Sequence, residues 1–406
     1  MKKILSCLFA IVMTACCFAC DNSSQNGGKT EPDLSQFPLY VEPEQAEYKF
    51  DFDEMTAPYF KGNVIYNETV LLVEDKGAIS GKLQYAPVKI LSVRDYTWEK
   101  EYSASDFTVT GNVITAKKGS ALPFLTAENL KGNDIPEPFR EVSKVENVLT
   151  DYVRMGSAIY TESPLFYGHQ ISVSYVYDVS DLKTEEFASY AKSGFPKLKA
   201  KLKAGDDVKL AAIGDSVAEG CSSSGHFNHA PFMDNWVTQV ADGLERKYDG
   251  NVTAENLAVG GMKSDWGAAA SQVNKIIAAE PDMVMIHFGI NDNGASVTAG
   301  SYYDNMEAIV SGVLAELPDC EFMLIKAFPA NPVSYDSKLF SQYWRKLDDL
   351  AAKKDCRSYT LDMYNPGLTL LNAKKYVDVT GNGINHVNDY SSRLYTMNIL
   401  SALIEY

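Results

Sequence analysis

The chain is short of the residues that would staple it, make it basic or embed it in a membrane. Of seven cysteines in 406 residues, four fall within the first 20. Cys221, Cys320 and Cys356 remain, too few for a disulfide framework and without metal-ligand spacing. Cys320 and Cys356 each precede a predicted strand, so a bridge would require those strands to be neighbours; free or buried thiols are the simpler expectation. Lys and Arg number 37 against 53 Asp and Glu, a formal charge of −16. No basic cluster offsets this, and nucleic acid is excluded as a partner because its binding rests largely on cationic side chains at phosphates. Histidine is scarce, with five in the chain. Beyond residue 19 no apolar run approaches the roughly 20 residues of a membrane span.

The start of the chain reads as a targeting segment. Met1-Lys2-Lys3 is basic, and the stretch from Ile4 to Ala19 is apolar but short for a span, as in a secretory signal peptide. Phe18-Ala19-Cys20 resembles a bacterial lipoprotein processing site, with Cys20 as the lipidated residue and Thr14-Ala15-Cys16 competing. Residues 1–20 are therefore expected to be a lipoprotein signal peptide. Residues 21–36, polar and Gly-rich at their start, are expected to be a flexible tether. The expected location is outside the cytoplasm, lipid-anchored to a bacterial membrane on its periplasmic or cell-surface side, the anchor being the only membrane contact.

The sequence changes character near residue 180. Residues 37–180 carry short β-rich segments: 68–73, 88–93, 107–110 and 171–177. In the last, Ile171, Val173, Tyr175 and Tyr177 share one face and Ser172 and Ser174 the other, a period of two that predicts a half-buried strand. Several such strands predict an all-β, jelly-roll-like sandwich. Residues 181–206 read as a helical linker, a helix pair interrupted at Gly194 and Pro196. From 207 to 406, strands (208–213, 252–259, 283–288, 322–328, 357–363) alternate with helices. One helix places Met306, Ile309, Val310, Val313, Leu314 and Leu317 on one face. This alternation predicts a parallel sheet with helices on both sides.

Four blocks in the second half carry chemistry. Gly214-Asp215-Ser216 follows an apolar strand, which puts a serine hydroxyl at the carboxyl edge of the sheet, where open α/β sheets bind ligands. Asn256 to Ser264 is a strand ending in Gly260-Gly261, where backbone can approach a ligand. Phe288-Gly289-Ile290-Asn291-Asp292 follows a third strand and offers an amide donor. Gly381 to Asp389 is a Gly/Asn-rich loop holding His386, the best placed of the five histidines to act as a base; Asp389 is expected to cap the last helix. The first half shows no comparable constellation. The α/β-hydrolase signature G-x-S-x-G is broken at Ala218. His226 and His229 lack a convincing third ligand for zinc, so no metal is expected.

In this order the blocks resemble the SGNH (GDSL-type) hydrolase family over residues 207–406, about half the chain. The resemblance implies an α/β/α three-layer sandwich with a flavodoxin-like parallel sheet. It also implies Ser216 as nucleophile, His386 as base, and an oxyanion hole from the Ser216 and Gly261 N–H groups and the Asn291 side chain. No cofactor is required. The family usually has Asp three residues before the His; here that position is Gly383. Either another carboxylate serves (Asp378 is the nearby candidate), or a Ser-His dyad uses a backbone carbonyl. Ser222, His229 and Trp236 are expected on the rim of the substrate pocket.

The arrangement resembles two-domain glycan deacetylases, which implies an acylated carbohydrate or glycan as substrate and hydrolysis of O-acetyl or other short acyl esters. A lipase, lysophospholipase or arylesterase on the same site, and a non-catalytic glycan-binding lipoprotein, are the competing expectations. The first half would either pack against the catalytic domain or bind sugar, through aromatics such as Tyr96 and Trp98.

Overall fold

The structure is a computed structural model that describes residues 32–136 and 158–406, with the backbone alone of 153–155. Cys20 and the tether up to residue 31 lie outside the described residues. Among the described residues no helix is long and apolar enough to cross a membrane.

The apolar runs of the second half form one parallel sheet of five strands. In spatial order they are Val252–Asn256, Val208–Gly214, Met283–His287, Glu321–Lys326 and Ser358–Asp362. This is the order 2-1-3-4-5 of a flavodoxin-like sheet, and it reverses beside the Val208–Gly214 strand, the place where such folds bind ligands. Every residue of Met283–His287 is buried, as expected for a central strand covered on both faces. The predicted helix spans Ala299–Glu316 and buries Met306, Ile309, Val310 and Val313. Cys221, Cys320 and Cys356 are all free.

The first half is β-rich, but its strands are shared among several sheets. Gln170–Tyr177 lies between Val64–Leu71 and Pro87–Asp95 in an antiparallel three-stranded sheet. A mixed five-stranded sheet orders Phe107–Thr110, Val113–Ala116, Ala78–Lys82, Val73–Asp75 and Leu125–Thr126. Val153–Met155 and Ala158–Tyr160 pair as a hairpin, and Phe52–Thr56 is a short helix. The half-buried strand expected at 171–177 is buried on both faces. Its serines are satisfied internally: Ser172 Oγ accepts from Trp98 Nε1 at 2.9 Å, and Ser174 Oγ accepts from the Asn67 amide at 2.9 Å. The expected helix pair at 181–206 is a single helix, Pro196–Ala204, preceded by 3-10 turns. Pro196 opens it because the missing N–H costs nothing at a first helical position.

Residues 34–406 form one compact unit, and polar side chains tie its two halves together. Lys374 Nζ lies 2.6 Å from Glu68 Oε1 with neither side chain exposed; Nζ also donates to the Lys82 carbonyl. Arg393 is buried on the last helix, Asp389–Leu403. It donates to the carbonyls of Met55, Tyr66 and Asn67, beside the irregularity that breaks strand register between Ile65 and Glu68. That helix is buried along its whole length from Tyr390 to Leu403; Thr396 donates to Gln239 and Asn398 to the Leu394 carbonyl, while Ser391 and Ser401 leave their hydroxyls unpaired.

Candidate active site

The Val208–Gly214 strand runs into a one-turn helix, Ser216–Glu219, whose N-cap is Asp215. The Asp215 carboxylate accepts from the Val217 N–H at 3.1 Å and lies 3.0 Å from Nδ1 of His287 on the adjacent strand. Nε2 of His287 is 3.0 Å from the Tyr395 hydroxyl, which accepts from the Phe328 N–H. The consistent assignment has Tyr395 donating to Nε2 and Nδ1–H donating to Asp215. This buried chain fixes the strand end from which Ser216 projects, so His287 serves the fold.

Ser216 and His386 meet. Nε2 of His386 is 2.8 Å from Ser216 Oγ, within reach for proton transfer. The loop that delivers the imidazole is organised by Asn382. Its side-chain oxygen accepts from the N–H groups of Ile384, Asn385 and His386 at 3.0, 3.0 and 3.1 Å. The loop is closed by a bridge between Thr380 and Val387.

The other nitrogen, Nδ1 of His386, lies 2.7 Å from Oε1 of Glu162, and both side chains are largely buried. The ring N–H is not aimed straight along that line. Glu162 belongs to the first half, where the sequence showed no candidate. Three further groups hold its carboxylate. Tyr160 donates to Oε1 at 2.5 Å, the Asn382 amide to Oε1 at 3.1 Å, and Ser222 to Oε2 at 3.3 Å. Burial by itself would raise the Glu162 pKa, but the charge and hydrogen bond of His386 and the bonds from Tyr160 and Asn382 hold it at about 2. Glu162 is thus an anion throughout the ordinary pH range.

Asp378, the acid suggested by proximity in sequence, is committed elsewhere: its oxygens accept from the N–H groups of Leu71 and Lys375. Asp389 does not cap the last helix; Asn388 does, and Asp389 accepts from the Ser224 N–H.

Of the segments that carry the proposed oxyanion donors, the Gly260–Gly261 turn comes up against the nucleophile. Ser216 opens its helix, where a backbone N–H has no partner within the helix. Gly260 packs so close that a Cβ on it would be 3.6 Å from Ser216 Cβ. Its N–H donates to Glu219 Oε2 at 2.7 Å, and Asn256 ties the same loop to the Ala218 carbonyl. Gly261 follows in a left-handed conformation at φ +76°, favoured by glycine. The Asn291 amide donates to the Met262 carbonyl at 3.0 Å, which places it beside Gly261 with one N–H to spare.

The three residues expected on the rim lie in different surroundings. Ser222 and His229 line a small cavity with Tyr96 and Tyr167, and His229 stacks on Tyr167 at 4.6 Å. Trp236 is a core residue: it is fully buried, donates to the Val217 carbonyl and stacks on Tyr395. Trp98 is likewise buried. Cys221 lies near Glu219 and His226. Burial first, then the charges of Glu219 and Glu162, push its thiol well above its usual range, so it remains protonated and does not compete as a nucleophile. Among the described residues no cluster of His, Cys, Asp and Glu has metal-binding geometry.

Residues 212–388 match the GDSL-like Lipase/Acylhydrolase family, and no curated protein matches the chain. Three of the similar solved structures illustrate the likeness. One is a two-domain esterase active on acetylated mannans, co-crystallised with mannopentaose (18% identity, 53% of each chain covered, TM-score 0.40). The second is a variant of Axe2, an acetyl-xylooligosaccharide esterase from Geobacillus stearothermophilus (20% identity, 51% of this chain and 98% of that one, TM-score 0.40). The third is the lipase Lip_vut3 from a goat rumen metagenome (14% identity, 47% of this chain and 95% of that one, TM-score 0.38).

Proposed function

With residues 212–388 belonging to the GDSL-like lipase/acylhydrolase family, a family of carboxylic ester hydrolases, we propose that the protein is a serine esterase removing O-acyl groups, in particular O-acetyl, from a carbohydrate or glycan. The observation that carries the reading is the 2.8 Å approach of His386 Nε2 to Ser216 Oγ at the carboxyl edge of the parallel sheet.

In the reaction, the Ser216 hydroxyl proton passes to Nε2 as Oγ attacks the ester carbonyl carbon, and the carbonyl electron pair moves onto oxygen. The Ser216 and Gly261 N–H groups and the Asn291 amide receive that oxyanion. Collapse expels the sugar alkoxide, which takes the proton from Nε2 and leaves an acyl-serine. Water then gives a proton to Nε2 and attacks the acyl carbon. Oγ departs with that proton, releasing the acid.

The carbohydrate reading follows the resemblance of the two-part chain to glycan deacetylases, and the choice of substrate is what the test decides. We also propose export and anchoring through a lipid on Cys20. The test is hydrolysis of nitrophenyl esters and of acetylated xylan by wild type and Ser216→Ala. Acetate preference with acetate released from the polysaccharide is expected, and Ser216→Ala should lose at least about 10³-fold in kcat. Octanoate preference with no release from the glycan would instead mark a lipase, and undiminished hydrolysis by Ser216→Ala would refute the serine mechanism.

A further inference from the structure

We infer that Glu162, supplied from outside the family-matched segment, is the positioning acid of this site: it holds His386 by Nδ1 and is the counter-charge when Nε2 takes the proton of Ser216. This rests on the esterase reading above and specifies how its base is oriented.

Three independent observations carry it. The first is contact: Glu162 Oε1 is 2.7 Å from Nδ1, on the ring edge opposite the nitrogen facing Ser216. The second is room. The position three before the histidine, where the resembled family carries Asp, is Gly383 at φ +81°. A Cβ there would lie 2.7 Å from the Phe166 ring and 2.9 Å from the Ile159 carbonyl. The segment that bears Glu162 therefore fills the space an aspartate side chain would need, and brings its own carboxylate to the imidazole. The third is availability. Both oxygens of Asp378 are bonded to backbone amides, and Asp389 accepts from Ser224.

The carboxylate is held for the task. Tyr160 and Asn382 donate to the oxygen that faces the imidazole, and Ser222 to the other. Asn382 sets both partners at once, since its carbonyl oxygen shapes the His386 loop while its amide fixes Glu162. Besides His386, the titratable groups facing Glu162 are Tyr160, Tyr167 and Cys221. The pKa of each is raised, so all three stay neutral and Glu162 is the anion of the cluster. No net proton transfer to Glu162 is required. The proton shuttles between Ser216, the leaving alkoxide, water and Nε2, while the carboxylate fixes the tautomer and stabilises the imidazolium.

The experiment uses the full chain and nitrophenyl acetate. Glu162→Gln should lower kcat by about 10²–10⁴-fold with KM little changed. Glu162→Ala should fall as far and regain part of its rate when formate is added, because a small carboxylate enters the vacated space. Glu162→Asp should retain more activity than Glu162→Ala. Circular dichroism and thermal melts of each variant check that it is folded. A Glu162→Gln enzyme within a few-fold of wild type would overturn the inference in favour of a dyad. So would a Glu162→Ala enzyme deaf to formate alongside an equally poor Glu162→Asp. Ser216→Ala separates the two levels: if it is inactive while Glu162→Gln is fully active, the esterase reading stands and only the acid assignment falls.

Discussion

Single side chains divide here into those that touch the reaction and those that hold others in place. Asn291 is proposed for the first group. Its second N–H points to an oxyanion role, and Asn291→Ala should cost about 10²–10³ in kcat, measured on nitrophenyl acetate, with little change in KM. Asp378 belongs to the second. Asp378→Asn should keep kcat within about three-fold of wild type while losing roughly 1–3 kcal/mol of stability in urea, because the buried Leu71 amide and the partly buried Lys375 amide lose a charged acceptor. Glu162 also leaves a mark on stability. Its folded pKa of about 2 lies below the ordinary 4.5, so its contribution is fully present above the ordinary value and is lost as pH falls through about 2. The shift corresponds to at most about 3 kcal/mol. The stability gap between wild type and Glu162→Gln, from urea titrations, should therefore be widest near neutrality and close steadily below pH 4.5.

At the level of strands, helices and loops, the legible parts were those with a local signature. Ser216 and Asn291 each follow an apolar strand, and His386 sits in a loop rich in glycine and asparagine, so short-range patterns pointed to them; the strand before Gly261, expected to reach residue 259, ends at Asn256 and buries only Val252. Glu162 had no such signature: its segment is far along the chain from His386 and only the folded arrangement unites them. The one available hint was negative, a glycine where an acid was wanted. The reading of Ser172 and Ser174 as solvent-facing failed for a related reason. Alternation reports chemistry on each face of a strand, but here the polar face meets Trp98 and Asn67 instead of water. Trp236 is expected on the rim with Ser222 and His229, yet it opens an amphipathic helix, Trp236–Lys247, and is buried in the core. A loop-level test follows from the crowding at Gly383. Gly383→Asp, which installs the residue of the resembled family, should destabilise the protein by more than about 2 kcal/mol and should fail to restore activity to Glu162→Gln, as read by thermal melts and nitrophenyl acetate assays.

Across the whole molecule, the expected β-to-α/β change near residue 180 was visible in composition, but the interdependence of the two parts was not. Lys374, Arg393 and Asp378, all late in the chain, bond to groups between residues 55 and 82. Residues 34–406 should accordingly unfold in one cooperative transition, by calorimetry and by tryptophan fluorescence alike. Lys374→Met should lower stability by about 3–5 kcal/mol, since it strands the Glu68 carboxylate in the interior, and urea denaturation would register the loss.

The placement of Glu162 also sets where this enzyme can be cut and regrafted. A cassette lifted out at residue 207 would carry away the serine and the imidazole but abandon their carboxylate. Chimeras that exchange front ends between relatives would stay active only if the donor brought an anion to the same corner, which makes the crossover point, more than the identity of the transplanted module, the decisive choice for an engineer.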